Sequence, residues 1–250
     1  MDIIGYLILL TVSFSAAIIG TMMGMAMIIV IPVMVSLGVP IHTAIATGRF
    51  SMLGINVGNI AVFSKQRTMR KEYILSFAVA GAVGAFAGAS SLSLISEGAL
   101  KTIVGVCMIL ISIIVFFEEK IRQFHPGKTE ITFRHHALSA LAGLFIGSYI
   151  GVVGGGGATL IIFVLVLLYG VNFHQALANQ KAISLPMSII ATLVFIVQGM
   201  IDYKLAIPML ITCVFGGMIG VRLVMRIKGH WLRNILVPVT IVLGLTLIFF

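Results

Sequence analysis

The chain has 250 residues, of which 60% are hydrophobic and only 9% charged, with a mean hydropathy of +1.20 and a formal net charge of +9. Soluble domains carry about 25% charged residues, so a soluble domain is excluded. Apolar stretches of roughly 18 residues or more recur along the whole length, and the fold class they predict is all-α, a polytopic transmembrane helical bundle. The cations cluster in short loops, where the positive-inside bias places them, and no basic face or aromatic platform stands outside the membrane; nucleic acid is excluded as a partner.

Residues 3–37 are apolar but too long for one ordinary span of roughly 20 residues, and Gly20, Gly24 and Pro32 interrupt them. This segment is either one long kinked helix or a helical hairpin turning near Thr21 to Gly24. Further helices are predicted from about His42 to Phe63, Tyr73 to Ser93 and Ala99 to Phe117, with the basic loop 65–71 after the first of them. A polar loop at 118–136 follows, and the pattern begins again. Residues 137–169 repeat the interrupted segment, His174–Gly199 and Tyr203–Met225 repeat the next two helices, and Trp231–Phe250 closes the chain. The expected organisation is a first transmembrane repeat at 1–117, a cytoplasmic linker at 118–136 and a second repeat at 137–250. The start, MDIIGYLILL, lacks the basic n-region of a secretory signal and reads as a mature first span. Cys107 and Cys213 lie in apolar runs and read as small core residues. Gly143, Gly147, Gly151 and Gly155 form a stripe at four-residue spacing, and Gly84 and Gly88 have counterparts in Gly216 and Gly220. Such stripes let helix backbones approach closely in lipid, and packing is their expected role.

Loop charge gives an orientation. The 65–71 loop carries four cations, and 118–136 carries Lys120, Arg122, Lys128 and Arg134. With 226–233 these are expected at the cytoplasm, and 200–204 and both termini outside. That assignment requires the interrupted segment to make an even number of crossings, and it turns the two repeats upside down relative to each other, as in many secondary transporters.

The two copies align at a constant offset of 132, which matches His42 with His174, Arg49 with Lys181, Gly38 with Gly170 and Gly24 with Gly156. Each copy thus carries one cation at the same point of one helix. Charge at that depth is costly, at least ~2.5–3.5 kcal/mol on insertion scales, and is read as functional. Arg49 and Lys181 are the expected anion ligands; the alternative is that each snorkels outward or fixes a neighbouring backbone carbonyl. Thr47 and Asn179, counterparts two residues before the cations, join them with Gln180 and Asn56 as polar candidates. The alternative for each is an interhelical hydrogen bond. His42 and His174 stand at helix starts, as caps or as a pH-sensitive gate. If Gly24 and the four-glycine run Gly154, Gly155, Gly156 and Gly157 are hairpin tips at membrane depth, the following helices aim unpaired N–H groups at an anion; the alternative is close packing. Every carboxylate lies in or beside a predicted loop, so the membrane core holds fixed positive charge and no fixed negative charge, which favours an anionic cargo. No metal or cofactor is expected, and no nucleophile–base pair stands at depth, so an enzyme is not expected.

At these motifs the chain resembles the sulfite exporter TauE/SafE family of bacterial and archaeal membrane transporters. The resemblance covers nearly all 250 residues: two homologous halves, a Gly-rich broken segment in each (GTMMGM and GVVGGGGA), then G-V-x-x-H-x-A-x-A followed by the cation. Pro32 fits the family's habit of a proline after the broken segment, where the second copy has Val164. The resemblance implies a multi-pass transporter of the cell (inner) membrane that moves sulfite, organosulfonates or related sulfur-containing anions by alternating access. A channel-like anion pore, or a transporter of another small organic anion, is the alternative. The expected partners are a small anion and the lipid bilayer, with a homodimer open.

Overall fold

The structure is a computed structural model that describes residues 2–63, 71–116, 132–171, 173–224 and 229–249. Every regular element among the described residues is helical. The first half contains α1 (Ile3–Met23), α2 (Ala26–Ser36), α3 (Ile41–Phe63), α4 (Lys71–Ser91), a 3-10 turn at Leu92–Leu94, and α5 (Glu97–Phe116). The second half contains α6 (Phe133–Val152), α7 (Gly157–Tyr169), α8 (Phe173–Val197), α9 (Tyr203–Val224) and α10 (Gly229–Phe249). Adding 132 to the bounds of α1–α5 reproduces those of α6–α10 to within three residues. Six helices (α1, α4, α5, α6, α8 and α9) are long and apolar enough to cross a membrane. Large apolar side chains such as Phe86, Phe145, Phe215 and Val242 point outward and exposed, as expected of a lipid-facing belt rather than a wetted surface.

The interrupted segments are pairs of helices, not single kinked ones. Helix α1 ends at Gly24, whose φ of 72° is left-handed, and the chain turns so sharply that a Cβ on Gly20 would meet Ala26 Cβ at 2.4 Å. Helix α2 has 11 residues, a rise of about 16 Å at 1.5 Å per residue, roughly half the hydrocarbon thickness. In the second half Gly156 takes the place of Gly24, with φ 78°, and α7 has 13 residues. Helix α6 begins at Phe133, inside the stretch read from sequence as linker. Thr132 and His135 form a capping box there, which lets Arg134 and His136 enter the first turn.

Packing follows the glycines. Helix α4 lies on α6, and a Cβ at Gly84 would stand 2.1 Å from Leu144 O and one at Gly147 2.1 Å from Gly81 O, so the two backbones touch. Helix α9 contacts both α1 and α3: a Cβ at Gly216 would stand 2.7 Å from Phe14 O, and one at Gly54 2.4 Å from Leu210 O. Lipid tails are as apolar as leucine, so close dispersion contact rather than water exclusion holds such helices together. Exchanging the halves maps these contacts onto one another: α4 on α6 becomes α9 on α1, α3 on α9 becomes α8 on α4, and α5 on α10 is its own image. In that last pair Gly105 faces Gly244 and Ile248, while Gly244 faces Gly105 and Ile109, so α5 and α10 run antiparallel.

Candidate functional site

A cavity of about 70 Å³ opens where the two breaks meet α3 and α8. Several wall residues come as counterparts at the 132-residue offset: Arg49 with Lys181, Ala26 with Ala158, Met52 with Ser184, and Asn56 with Ser188. Each cation stands eight residues past the first residue of its helix, about 12 Å along the axis. Arg49 is 4% exposed and Lys181 3%.

The two cations are held differently. Arg49 Nη2 donates to the carbonyl oxygen of Ile150, in the last turn of α6. That carbonyl belongs to a helix end with no intrahelical partner, and the guanidinium caps it with the sign of charge the helix dipole favours. Arg49 reaches this position because residue 154 is glycine: a Cβ there would stand 1.9 Å from Nη2. Arg49 Nε has no partner among the described residues. The ammonium of Lys181 has no hydrogen-bond or ion-pair partner among them at all. The described carboxylates lie at helix ends: Asp2 caps α1, Glu72 and Glu97 stand at the starts of α4 and α5, and Asp202 precedes α9. Glu118, Glu119 and Glu130 lie outside the described residues.

The breaks are tied to each other. Gly156 N donates to Gly24 O at 3.1 Å, and a Cβ on Gly24 would collide with Ala158 Cβ at 2.6 Å. Tyr149, one turn before the glycine run, donates its hydroxyl to Gly155 O and pins the second break. The wall residues contributed by α2 (Ala26 and Met27) and by α7 (Ala158) sit in the first turns of those helices. First-turn N–H groups have no carbonyl one turn back, and the positive dipole ends of both half-helices point at the cavity region. With two buried cations and no carboxylate on its wall among the described residues, the arrangement suits a small anion rather than a cation.

The sequence profile of the sulfite exporter TauE/SafE family matches residues 9–247. The chain belongs to the TauE/SafE sulfite exporter family. Relatives described as probable membrane transporter proteins support the same placement. One from Haemophilus influenzae is 22% identical over 237 residues, covering 95% of this chain and 90% of the relative. One from Sinorhizobium sp is 26% identical over 245 residues, covering 96% and 91%. One from Bacillus subtilis is 20% identical over 211 residues, covering 84% and 86%. The chain is a multi-pass membrane protein of a transporter family.

Within this TauE/SafE chain the structure sorts the residues singled out by sequence. Arg49, Lys181, Gln180, Asn56 and Gly24 line the cavity together. Thr47 and Asn179 are elsewhere. Thr47 Oγ1 accepts from Asp202 N at 3.0 Å, at the start of α9, and Asn179 Nδ2 donates to Gln175 O at 2.7 Å on its own helix. Gly155, Gly156 and Gly157 are off the cavity wall and pack against Ile28, Ile111 and Ile150, with Cβ clearances of 2.3–2.5 Å. A ring nitrogen of His42 bonds Ile95 O at 2.9 Å, beyond the 3-10 turn, and the side chain of His174 lies outside the described residues. Two participants did not stand out in the sequence, the Ile150 carbonyl and Tyr149, whereas Gly154 was read there as the first glycine of the run.

Proposed function

We propose that this chain exports a small sulfur-containing anion, such as sulfite or an organosulfonate, across the bacterial or archaeal inner membrane. The anion sits between Arg49 and Lys181 and is passed by alternating access of one half against the other. The observation that carries the reading is the pair of symmetry-related cations, both nine-tenths buried, on the wall of one small cavity between the two helix breaks. The family supplies the substrate class. The antiparallel run of α5 and α10, counterparts in the two halves, supports an inverted repeat. The energetics agree with export. A bacterial membrane is negative inside, and expelling one negative charge gains ~2.3 kcal/mol per 100 mV. That sustains a gradient of about fifty-fold for a monovalent anion, since ~1.4 kcal/mol is tenfold.

Purified protein in proteoliposomes, loaded with sulfite or one of a panel of sulfonates and given a potassium diffusion potential, tests this. Saturable efflux that accelerates as the exit side becomes positive is expected, without added sodium or a proton gradient. Strict dependence on either ion, with no response to voltage, overturns the energetics; no movement of any sulfur anion overturns the function. Counterflow separates a carrier from an open pore.

A further inference from the structure

Three side chains on the cavity wall are polar, buried and incompletely used. Arg49, Gln180 and Lys181 are 4%, 2% and 3% exposed. Arg49 engages Ile150 O through Nη2 and leaves Nε unpaired, and Lys181 is without a partner among the described residues. Gln180 differs from these two in that its unused atom is an acceptor. Its Nε2 donates to Ser184 Oγ at 2.9 Å, and Ser184 turns its one proton toward Lys181 O at 3.4 Å. A hydroxyl has a single donor hydrogen, and with that hydrogen on Lys181 O the Ser184 oxygen accepts from Gln180 Nε2. Gln180 Oε1 is left buried with no donor among the described residues. Other unpartnered atoms, such as Ser139 Oγ and Thr192 Oγ1, belong to residues that do not line the cavity.

A buried acceptor without a donor is costly, and a ligand that supplies the donor recovers that cost. A fully deprotonated oxyanion satisfies the two cations but offers Gln180 only more lone pairs. An oxyanion that keeps one hydroxyl satisfies all three groups. A cavity of about 70 Å³ holds a few waters' worth of volume and suits an anion of a few heavy atoms. We propose that the cavity takes a small sulfur oxyacid as the monoanion that retains one O–H. The oxygens lie at Arg49 and Lys181, the hydroxyl donates to Gln180 Oε1, and Gln180 is the residue that sets this preference. The inference deepens the proposed function and rests on it.

Hydrogensulfite, HO–SO2⁻, and methanesulfinate, CH3–SO2⁻, share charge and shape and differ by a hydroxyl against a methyl. Efflux of each from proteoliposomes carrying the full chain is measured at mildly acidic pH, where sulfite is mainly the monoanion. Wild type is expected to move hydrogensulfite at least about 10-fold faster, because a site built to bond a hydroxyl discriminates strongly against the analogue lacking it. In Gln180→Met the ratio falls to within about 2-fold, through loss on the hydrogensulfite side. Equal or faster efflux of methanesulfinate by wild type overturns the proposal while leaving the transporter reading intact, and needs no variant to fold. An unchanged ratio in Gln180→Met removes Gln180 from the role. Movement of neither anion by a monodisperse protein overturns the proposed function and this inference with it.

Discussion

Arg49 and Lys181 stand at the same step of counterpart helices, and the two halves treat them in opposite ways. Arg49 crosses to the other half, caps the last turn of α6 at Ile150 O and lies against Gly154. Lys181 caps nothing. The helices that carry them differ too. At the position of Gly54, where α3 is seated on Leu210 O of α9, α8 has Pro186, whose missing N–H frees the carbonyl of Ala182 next to Lys181. Both cations line the cavity, but only Arg49 also fastens the bundle, while Lys181 stands beside a loosened stretch of backbone. The division of tasks is uneven: on the proposed function both cations hold the anion, and Arg49 alone also holds the bundle together.

The largest effects that break this comparison come from removing each cation. Arg49→Met and Lys181→Met are both expected to lower efflux at least about 100-fold. Their stabilities separate. Arg49→Met strands the Ile150 carbonyl and is expected to cost about 1–3 kcal/mol. Lys181→Met removes an unpaired buried charge and leaves the protein at least as stable as wild type. Thermal unfolding of the detergent-purified proteins measures this, and equal destabilisation by both substitutions refutes the division of tasks. The conservative exchanges sharpen it: Lys181→Arg keeps partial transport and Arg49→Lys keeps less, since an ammonium lacks the planar fork that serves a carbonyl and an oxyanion together.

A smaller effect separates two left-handed glycines. Gly154 and Gly38 have φ of 79° and 86°, so alanine strains the backbone equally at both. Space differs: a Cβ on Gly154 overlaps the Arg49 guanidinium, while one on Gly38 meets nothing within 4 Å. Gly38→Ala is expected to cost about 1 kcal/mol of stability with transport intact. Gly154→Ala displaces Arg49 and lowers efflux about tenfold or more beyond any loss of folded protein. Equal transport rates per folded molecule for the two variants remove Gly154 from the site.

Much of this was legible because duplication writes itself into sequence as a constant offset. Arg49, Lys181, Gly24 and the stripes on α4, α6 and α9 could all be found from spacing and cost alone. The glycine run was only half legible. Four glycines announce a break, but which of them faces open space depends on where Ile28, Ile111 and Ile150 lie, and those neighbours come from distant parts of the chain. His42 was open between cap and gate on sequence grounds, and its bond to Ile95 O, across 53 residues, is a tertiary contact that no local pattern encodes.

Thr47 and Asn179 show how helical geometry limits counterpart reasoning, and they give the smallest effect. They match each other at the same offset as the cations, but two residues on a helix are separated by about 200° at 3.6 residues per turn. Side chains that share a cation's face lie three, four or seven positions away. Met52 and Ser184 at plus three, and Asn56 and Ser188 at plus seven, are accordingly on the cavity wall. Thr47 instead faces the start of α9 and accepts from Asp202 N at 3.0 Å. Thr47→Val keeps the shape and removes the acceptor, at an expected cost of about 1 kcal/mol in unfolding free energy. Efflux per folded molecule is expected to stay within about 2-fold of wild type, whereas Asn56→Ala, nine residues further along the same helix, is expected to reduce it several-fold with little change in stability. Rates and melting temperatures measured on both variants in one preparation locate the edge of the site. A severe transport defect in Thr47→Val with unchanged melting would extend the site around α3, away from the cavity that Arg49 lines.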